Sequence, residues 1–131
     1  MHRYLKLFGL AALALLVSGC IRTVQHYAGP ARPENETARI STFKLNIHSI
    51  NGEVFTAKKN AMTYFVDVVP GDYTIVASTS WDTAAGSTVT HRESAARSIS
   101  FTARPGMIYA LSPKEGPFYT FLGIGLVEQA K

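Results

Sequence analysis

From Ala38 to Lys131 the apolar residues return at every second position in short runs, and Asn-Gly or Pro-Gly pairs lie between the runs. Phe43, Leu45 and Ile47 alternate with Lys44, Asn46 and His48, and Ile99, Phe101 and Ala103 share a second such face. Side chains of a strand point alternately to its two faces, so a period of two marks strands with one face buried. After residue 20 nothing has the three-to-four spacing of an amphipathic helix. A chain patterned in this way buries its apolar atoms by laying one sheet against another.

The turn residues divide the region into elements. Asn51-Gly52 predicts a two-residue hairpin, because both residues tolerate positive φ, with a return strand over Val54 to Ala57. Lys58-Lys59-Asn60 reads as the next turn and Tyr64 to Val69 as the next strand. Pro70-Gly71 fits the centre of a type II turn, and Tyr73 to Ser80 is the strand that leaves it. Between Trp81 and Arg97 the chain becomes rich in Ser, Thr, Ala and Gly without an apolar stripe, which predicts the longest loop, over 82–97. Strands are expected again at Ser98 to Ala103 and, after Arg104-Pro105-Gly106, at Met107 to Leu111. In the last run, Tyr119 to Val127, Gly123 and Gly125 weaken a strand or mark a bulge. The expected fold is all-β: a single immunoglobulin-like or transthyretin-like β-sandwich of about seven strands.

The first twenty residues are of another kind. Arg3 and Lys6 precede an apolar stretch from Leu7 to Val17, followed by the small residues Ser18 and Gly19 and then by Cys20, the only cysteine. That stretch is shorter than the roughly 20 residues of a membrane span and has the layout of a helical export signal. Leu16-Val17-Ser18-Gly19-Cys20 resembles the lipobox of bacterial lipoproteins, although Val17 stands where leucine is commoner. The resemblance implies cleavage before Cys20, a diacylglyceryl group on its sulfur, and acylation of the new amine by a chain such as palmitate. Two or more acyl chains suffice for stable anchoring, at roughly 0.8 kcal/mol per buried methylene. Ile21, rather than aspartate, follows the cysteine, and the family's sorting rule then points to the outer membrane with the domain in the periplasm. The expected organisation is a signal peptide at 1–19, a lipidated cysteine and extended tether at 20–37, and a sandwich at 38–131. Gly29-Pro30-Ala31-Arg32-Pro33 supports the tether, which fully stretched over Cys20 to Pro33 reaches about 45 Å and lets the domain stand off the membrane.

Charge narrows the partners. Two of the thirteen Lys and Arg lie in the signal, leaving eleven against nine Asp and Glu, so the high isoelectric point belongs partly to the discarded segment. No basic stripe of the kind that nucleic acid requires remains. With Cys20 acylated, no intramolecular disulfide forms and stability must come from the core. Chemistry is sparse. His26, His48 and His91 lack the close spacing of metal ligands on one element, no Gly-x-Ser-x-Gly elbow surrounds Ser87, and no phosphate-cradling glycine loop occurs, so neither a metal nor a cofactor is expected.

Tyr27 to Pro30, Arg32-Pro33, Glu34 to Ala38, Val69 to Val76, and Phe101 to Tyr109 resemble segments of small bacterial lipoproteins. Within them Pro70-Gly71-Asp72-Tyr73-Thr74-Ile75-Val76 is similar to PEGA and carboxypeptidase-regulatory-like domains, which are transthyretin-like or immunoglobulin-like sandwiches. No catalytic residues come with that resemblance. The leading expectation is a non-enzymatic, membrane-anchored binding or accessory module that contacts a cell-envelope protein. Its candidate contact residues are Trp81 at the mouth of the long loop, His91 and Arg92 within it, and Tyr119 beside a Gly-broken edge strand. A carrier of a small ligand or glycan is one alternative, and an enzyme or enzyme inhibitor another.

Overall fold

The computed structural model describes residues 22–55, 63–117 and 120–131, and the protein is all-β. The signal segment with Cys20, the Lys58-Lys59-Asn60 turn and Tyr119 lie outside the described residues. One sheet holds β1 (Arg22–Gln25), β5 (Thr63–Val68), β2 (Ala38–Phe43), β10 (Met107–Glu115) and β11 (Phe121–Ala130), in that spatial order. A second, antiparallel sheet holds β4 (Glu53–Val54), β3 (Asn46–Ile50), β6 (Gly71–Ser78) and β9 (Arg97–Ala103). β7 (Ser80–Ala85) and β8 (Thr88–Glu93) pair only with each other. Eleven strands thus occur among the described residues, against about seven expected; the surplus comes from β1, the β7–β8 pair and the division of the strand expected through Phe43 and Ile47 into β2 and β3, while β4 falls at the start of the expected return strand.

The two sheets share one buried apolar cluster. Ile40, Val66, Val68, Tyr109, Leu111 and Ile124 come from the first sheet, and Ile47, Ile50, Tyr73, Ile75 and Ala77 from the second. Each fully buried aliphatic side chain contributes about 1.5–3 kcal/mol, which makes this cluster the main support of the fold. Phe101 of β9 stacks on Tyr109 of β10 at 4.9 Å between ring centroids, joining the layers. Ile99, Phe101 and Ala103 line one face of β9, as their spacing predicts.

The expected alternation from Phe43 through Ile47 is not one strand. Lys44 adopts φ +55 between β2 and β3, and the chain crosses there from the first sheet to the second. Phe43 therefore faces outward, 48% exposed, whereas Leu45 and Ile47 point into the core. His48 is the extra residue of a bulge in β3, where the register jumps from Ile47 to Ser49.

Asn51-Gly52 forms the expected tight turn, with φ of +51 and +79 joining Ile50 to Glu53. The Asn51 side chain adds a reason for asparagine: its amide donates to the carbonyl of Asp72 and its oxygen accepts the N–H of Thr74. Pro70-Gly71 departs from expectation. Gly71 has φ +155, far from the roughly +80° of a type II turn, and it opens β6 opposite Ala103. Pro105-Gly106 has the type II character instead, with Gly106 at φ +75. Both Pro-Gly links carry the chain between sheets, and each is closed by a tyrosine. The Tyr73 hydroxyl donates to the carbonyl of Val69 at 2.6 Å, and the Tyr109 hydroxyl accepts the N–H of Arg104 at 2.7 Å. Burial pushes the Tyr73 phenol above its ordinary pKa.

From Arg22 on, the segment read as an extended tether is held to the body at both of its ends. β1 pairs in parallel with β5, the N–H of His26 donates to Asp67, the Tyr27 hydroxyl accepts the N–H of Arg32, and Thr37 is buried. Beside it Arg39 and Asp67, cross-strand partners, form a two-point ion pair at 2.8 and 3.2 Å, with the guanidinium over Phe65. The hydrogen bond to Asp67 raises the Arg39 pKa. The Lys131 ammonium donates to the carbonyls of Glu34 and Thr37 and to the Thr37 hydroxyl, and desolvation there lowers its pKa. Gly123 has φ +154 beside a bulge at Lys114 and Glu115, the irregularity its position suggests.

Strand directions give the body two unlike ends. The tight links at Asn51-Gly52, Val69-Pro70 and Pro105-Gly106 lie toward one end, which we term the turn pole. β1, β3, β5, β9 and β11 all begin at the other end, where β2, β6 and β10 finish. The β7–β8 pair leaves from this second end, the arm pole. Among the described residues no helix is long and apolar enough to cross a membrane.

Candidate functional site: a projecting hairpin arm

The 82–97 region, expected as a loop, is mostly a β-hairpin. Ala85 pairs with Thr88 around Gly86-Ser87, and Gly86 takes φ +63 at the first loop position, as Gly-Ser turns favour. The loop reading failed because alternation is visible only when one face of a strand is buried. Here every residue from Trp81 to Glu93 is exposed. Six residues per strand give the arm a length of about 20 Å.

An isolated two-stranded ribbon is marginal in water, so the base must hold it. Thr79 and Ser94 exchange hydrogen bonds: the N–H of Thr79 donates to Ser94 Oγ at 3.0 Å, and the N–H of Ser94 to the carbonyl of Thr79 at 2.9 Å. The Thr79 hydroxyl donates to the carbonyl of Lys44, and the Asn46 amide to Ser80 Oγ. The central contact is a chain of three side chains from β3, β6 and β8. His48 Nε2 lies 2.7 Å from Ser78 Oγ, and Ser78 donates to Glu93 Oε1 at 2.5 Å. Sequence reading missed this cluster, whose members are 15 and 30 residues apart and carry no local motif.

A serine, a histidine and a carboxylate within hydrogen-bond reach invite comparison with a nucleophilic triad, and the order of contacts answers it. Activation of a serine requires the imidazole to accept its proton and the acid to orient the imidazole. Here the serine is in the middle. Its single proton is directed at Glu93, so His48 Nε2 donates to it; the same nitrogen, 3.5 Å from Glu93 Oε1, faces both groups, no acid among the described residues bonds Nδ1 to orient the ring, and Ser78 is only 1% exposed. The group ties the arm to the second sheet. Among the described residues no three His, Cys, Asp or Glu side chains gather as a metal site.

The register sorts the expected contact residues by face. Trp81 and Arg92 are direct cross-strand partners, and the Arg92 Nε–H donates to Thr83 Oγ1 on the same face. His91 lies on the opposite face, paired with its partner Asp82 at 2.8 Å from Nδ1. The structure therefore joins Trp81 with Arg92 and separates both from His91. Trp81 is 38% exposed, the largest side chain on the arm. The arm presents an aromatic and a guanidinium on one side, an imidazole–carboxylate pair on the other, and free main-chain donors and acceptors along its edges. Such a surface suits recognition by another macromolecule. No protein-family model, curated protein or solved structure matches the chain.

Proposed function

We propose that the chain is an outer-membrane lipoprotein, anchored through Cys20, whose β domain is a non-enzymatic binding or accessory module in the periplasm. The observation that carries the binding role is the arm: a fully exposed hairpin, fastened at its base by side chains from three strands, with Trp81 and Arg92 side by side. Tryptophan and arginine are over-represented among residues that dominate protein interfaces. The partner is a cell-envelope protein, and no cofactor enters the role. The lipobox resemblance supplies the anchor and the location.

For the domain itself the reading is a sandwich of the PEGA-like, transthyretin-like or immunoglobulin-like kind. It is supported by the two inter-sheet links closed by Tyr73 and Tyr109, since a tyrosine bonded back to the main chain at such a corner recurs in immunoglobulin-like sandwiches. The test has two parts. Mass spectrometry of the membrane-extracted protein should find a diacylglyceryl-modified Cys20 at the mature N-terminus, absent from Cys20→Ser. A photo-crosslinking residue at Thr90, exposed on the same face of the arm as Trp81 and Arg92, should trap one discrete envelope protein in intact cells, and the same residue at Val54, 79% exposed on the body, should not. Equal yields from both positions, or none from Thr90, refute the binding role.

A further inference from the structure

β11 closes one side of the first sheet, and no strand pairs beyond it among the described residues. Main-chain N–H and carbonyl groups along its outer rim are therefore free to bond another chain. The other margins carry the usual deterrents to pairing: β4 has two residues and includes Glu53, β1 has four, β9 opens with Arg97, and the arm carries Asp82, His91, Arg92 and Glu93. β11 has ten residues, and from Phe121 to Val127 it holds neither a charge nor a proline. The bulge at Leu122 disturbs only its start, and its register from Gly123 to Ala130 is unbroken.

The core opens toward the same side. Leu126, opposite the buried Leu111, is 37% exposed, Val127 on the outward face is 61% exposed, and Ile99 and Phe101 of β9, which lies against β11, are only partly buried. Nothing within one copy calls for glycine at 125. Its φ lies outside the left-handed region, and a Cβ there would meet Ser112 and Lys114 no closer than 3.5 Å, an ordinary contact. Glycine weakens a strand, and where its own chain does not require it, it marks the close approach of another.

We propose that β11 pairs with β11 of a second copy, antiparallel about a two-fold axis at Leu126, joining the two five-stranded sheets edge to edge. The occupant is a second copy because the rim is complementary to itself. On this axis Leu126 meets Leu126, the isopropyl group of Val127 lies over the second copy's Gly125, and Ile124 stands against the aliphatic stem of the second copy's Glu128. Both exposed apolar side chains are covered, and no like charges are opposed. The axis runs perpendicular to the sheets, so the two arm poles point in opposite directions and both arms stay exposed. The same symmetry keeps the two Cys20 residues at one height, so that a single leaflet can hold both anchors.

The register makes the test specific. A cysteine at 127 is the diagonal neighbour of its own counterpart, about 7–8 Å away, whereas one at 129, exposed on the same face of the same strand, is offset by six residues, or about 20 Å. The full chain carrying Val127→Cys or Gln129→Cys is expressed in cells and treated with a short bismaleimide, beside the parent chain, which has Cys20 alone. Position 127 should give a covalent dimer of this chain, identified by mass spectrometry, at least about tenfold above position 129. Adding Gly125→Lys, which one copy has room for and the pair does not, should abolish that dimer. Equal yields from 127 and 129, no dimer from 127, persistence with Gly125→Lys, or joining of 127 to a different protein overturns the proposal. The probe at Thr90 reports on the arm separately: no dimer with capture retained at Thr90 removes the self-pairing alone, and the converse removes the arm's role alone.

Discussion

Tyr73→Phe removes one oxygen from a side chain that is otherwise core. The hydroxyl donates to the carbonyl of Val69 at 2.6 Å across the link from β5 to β6, and the residue is 7% exposed. The ring keeps its packing in the variant, so the cost is that of the hydrogen bond alone, about 1–2 kcal/mol at neutral pH. Alkaline pH adds an independent check. The folded-state pKa of Tyr73 is raised by burial, so its stabilising contribution is complete below the unfolded value near 10 and declines as pH rises toward the folded value. The decline has a limiting slope of about 1.4 kcal/mol per pH unit, and phenylalanine has no such term. Urea unfolding of a chain of residues 20–131 carrying Cys20→Ser, followed by far-ultraviolet circular dichroism at pH 7 and pH 11, gives both quantities. Wild type should be the more stable at neutral pH, and its advantage should shrink at pH 11. A difference under about 0.3 kcal/mol at neutral pH, or one unchanged between the two pH values, would refute the corner reasoning.

Asn51→Ala loses two hydrogen bonds and places alanine at φ +51, which should cost about 2 kcal/mol in the same unfolding assay. Asp67→Asn breaks a half-buried, two-point ion pair with Arg39, and a loss of about 1–2 kcal/mol is expected, less at high salt. Glu93→Ala removes the acceptor of Ser78 at the base of the arm; limited proteolysis should then nick the hairpin near Gly86 faster, while the body keeps its urea midpoint. Trp81→Ala should change stability by no more than about 0.5 kcal/mol and abolish crosslinking from the probe at Thr90.

What the sequence disclosed depended on whether a local rule governed the residue. Asn51-Gly52 was readable because the turn needs positive φ at both positions and few residues accept it. The face formed by Ile99, Phe101 and Ala103 was readable because one side of β9 is buried. Lys44 was not: nothing in a lysine announces φ +55, and the single break sent Phe43 to solvent while its apparent strand-mates went to the core. Pro70-Gly71 and Pro105-Gly106 look alike as dipeptides, yet only the second makes the turn, because the first link must deliver Gly71 straight into pairing with Ala103. The arm was hidden for lack of a buried face. Its anchor of His48, Ser78 and Glu93 exists only in three dimensions, and Trp81 with Arg92 became a pair only once the register of β7 and β8 was known.

The parallel pairing of β1 with β5 bears on how the protein can be handled outside the cell. A soluble form of the proposed lipoprotein would be made by trimming past Cys20 and the stretch assumed to be linker. Starting such a fragment after Gln25 would strip four residues from the sheet and bare the outer rim of β5 from Tyr64 to Asp67. An uncovered rim is a template for any extended chain, so the shortened fragment should dimerise or capture stray peptides through that rim. A fragment starting at Ile21 keeps β1 on the rim of β5 and should show less association in sedimentation than the shortened one, so the two lengths of one polypeptide would differ in assembly through four residues that resemble a leash.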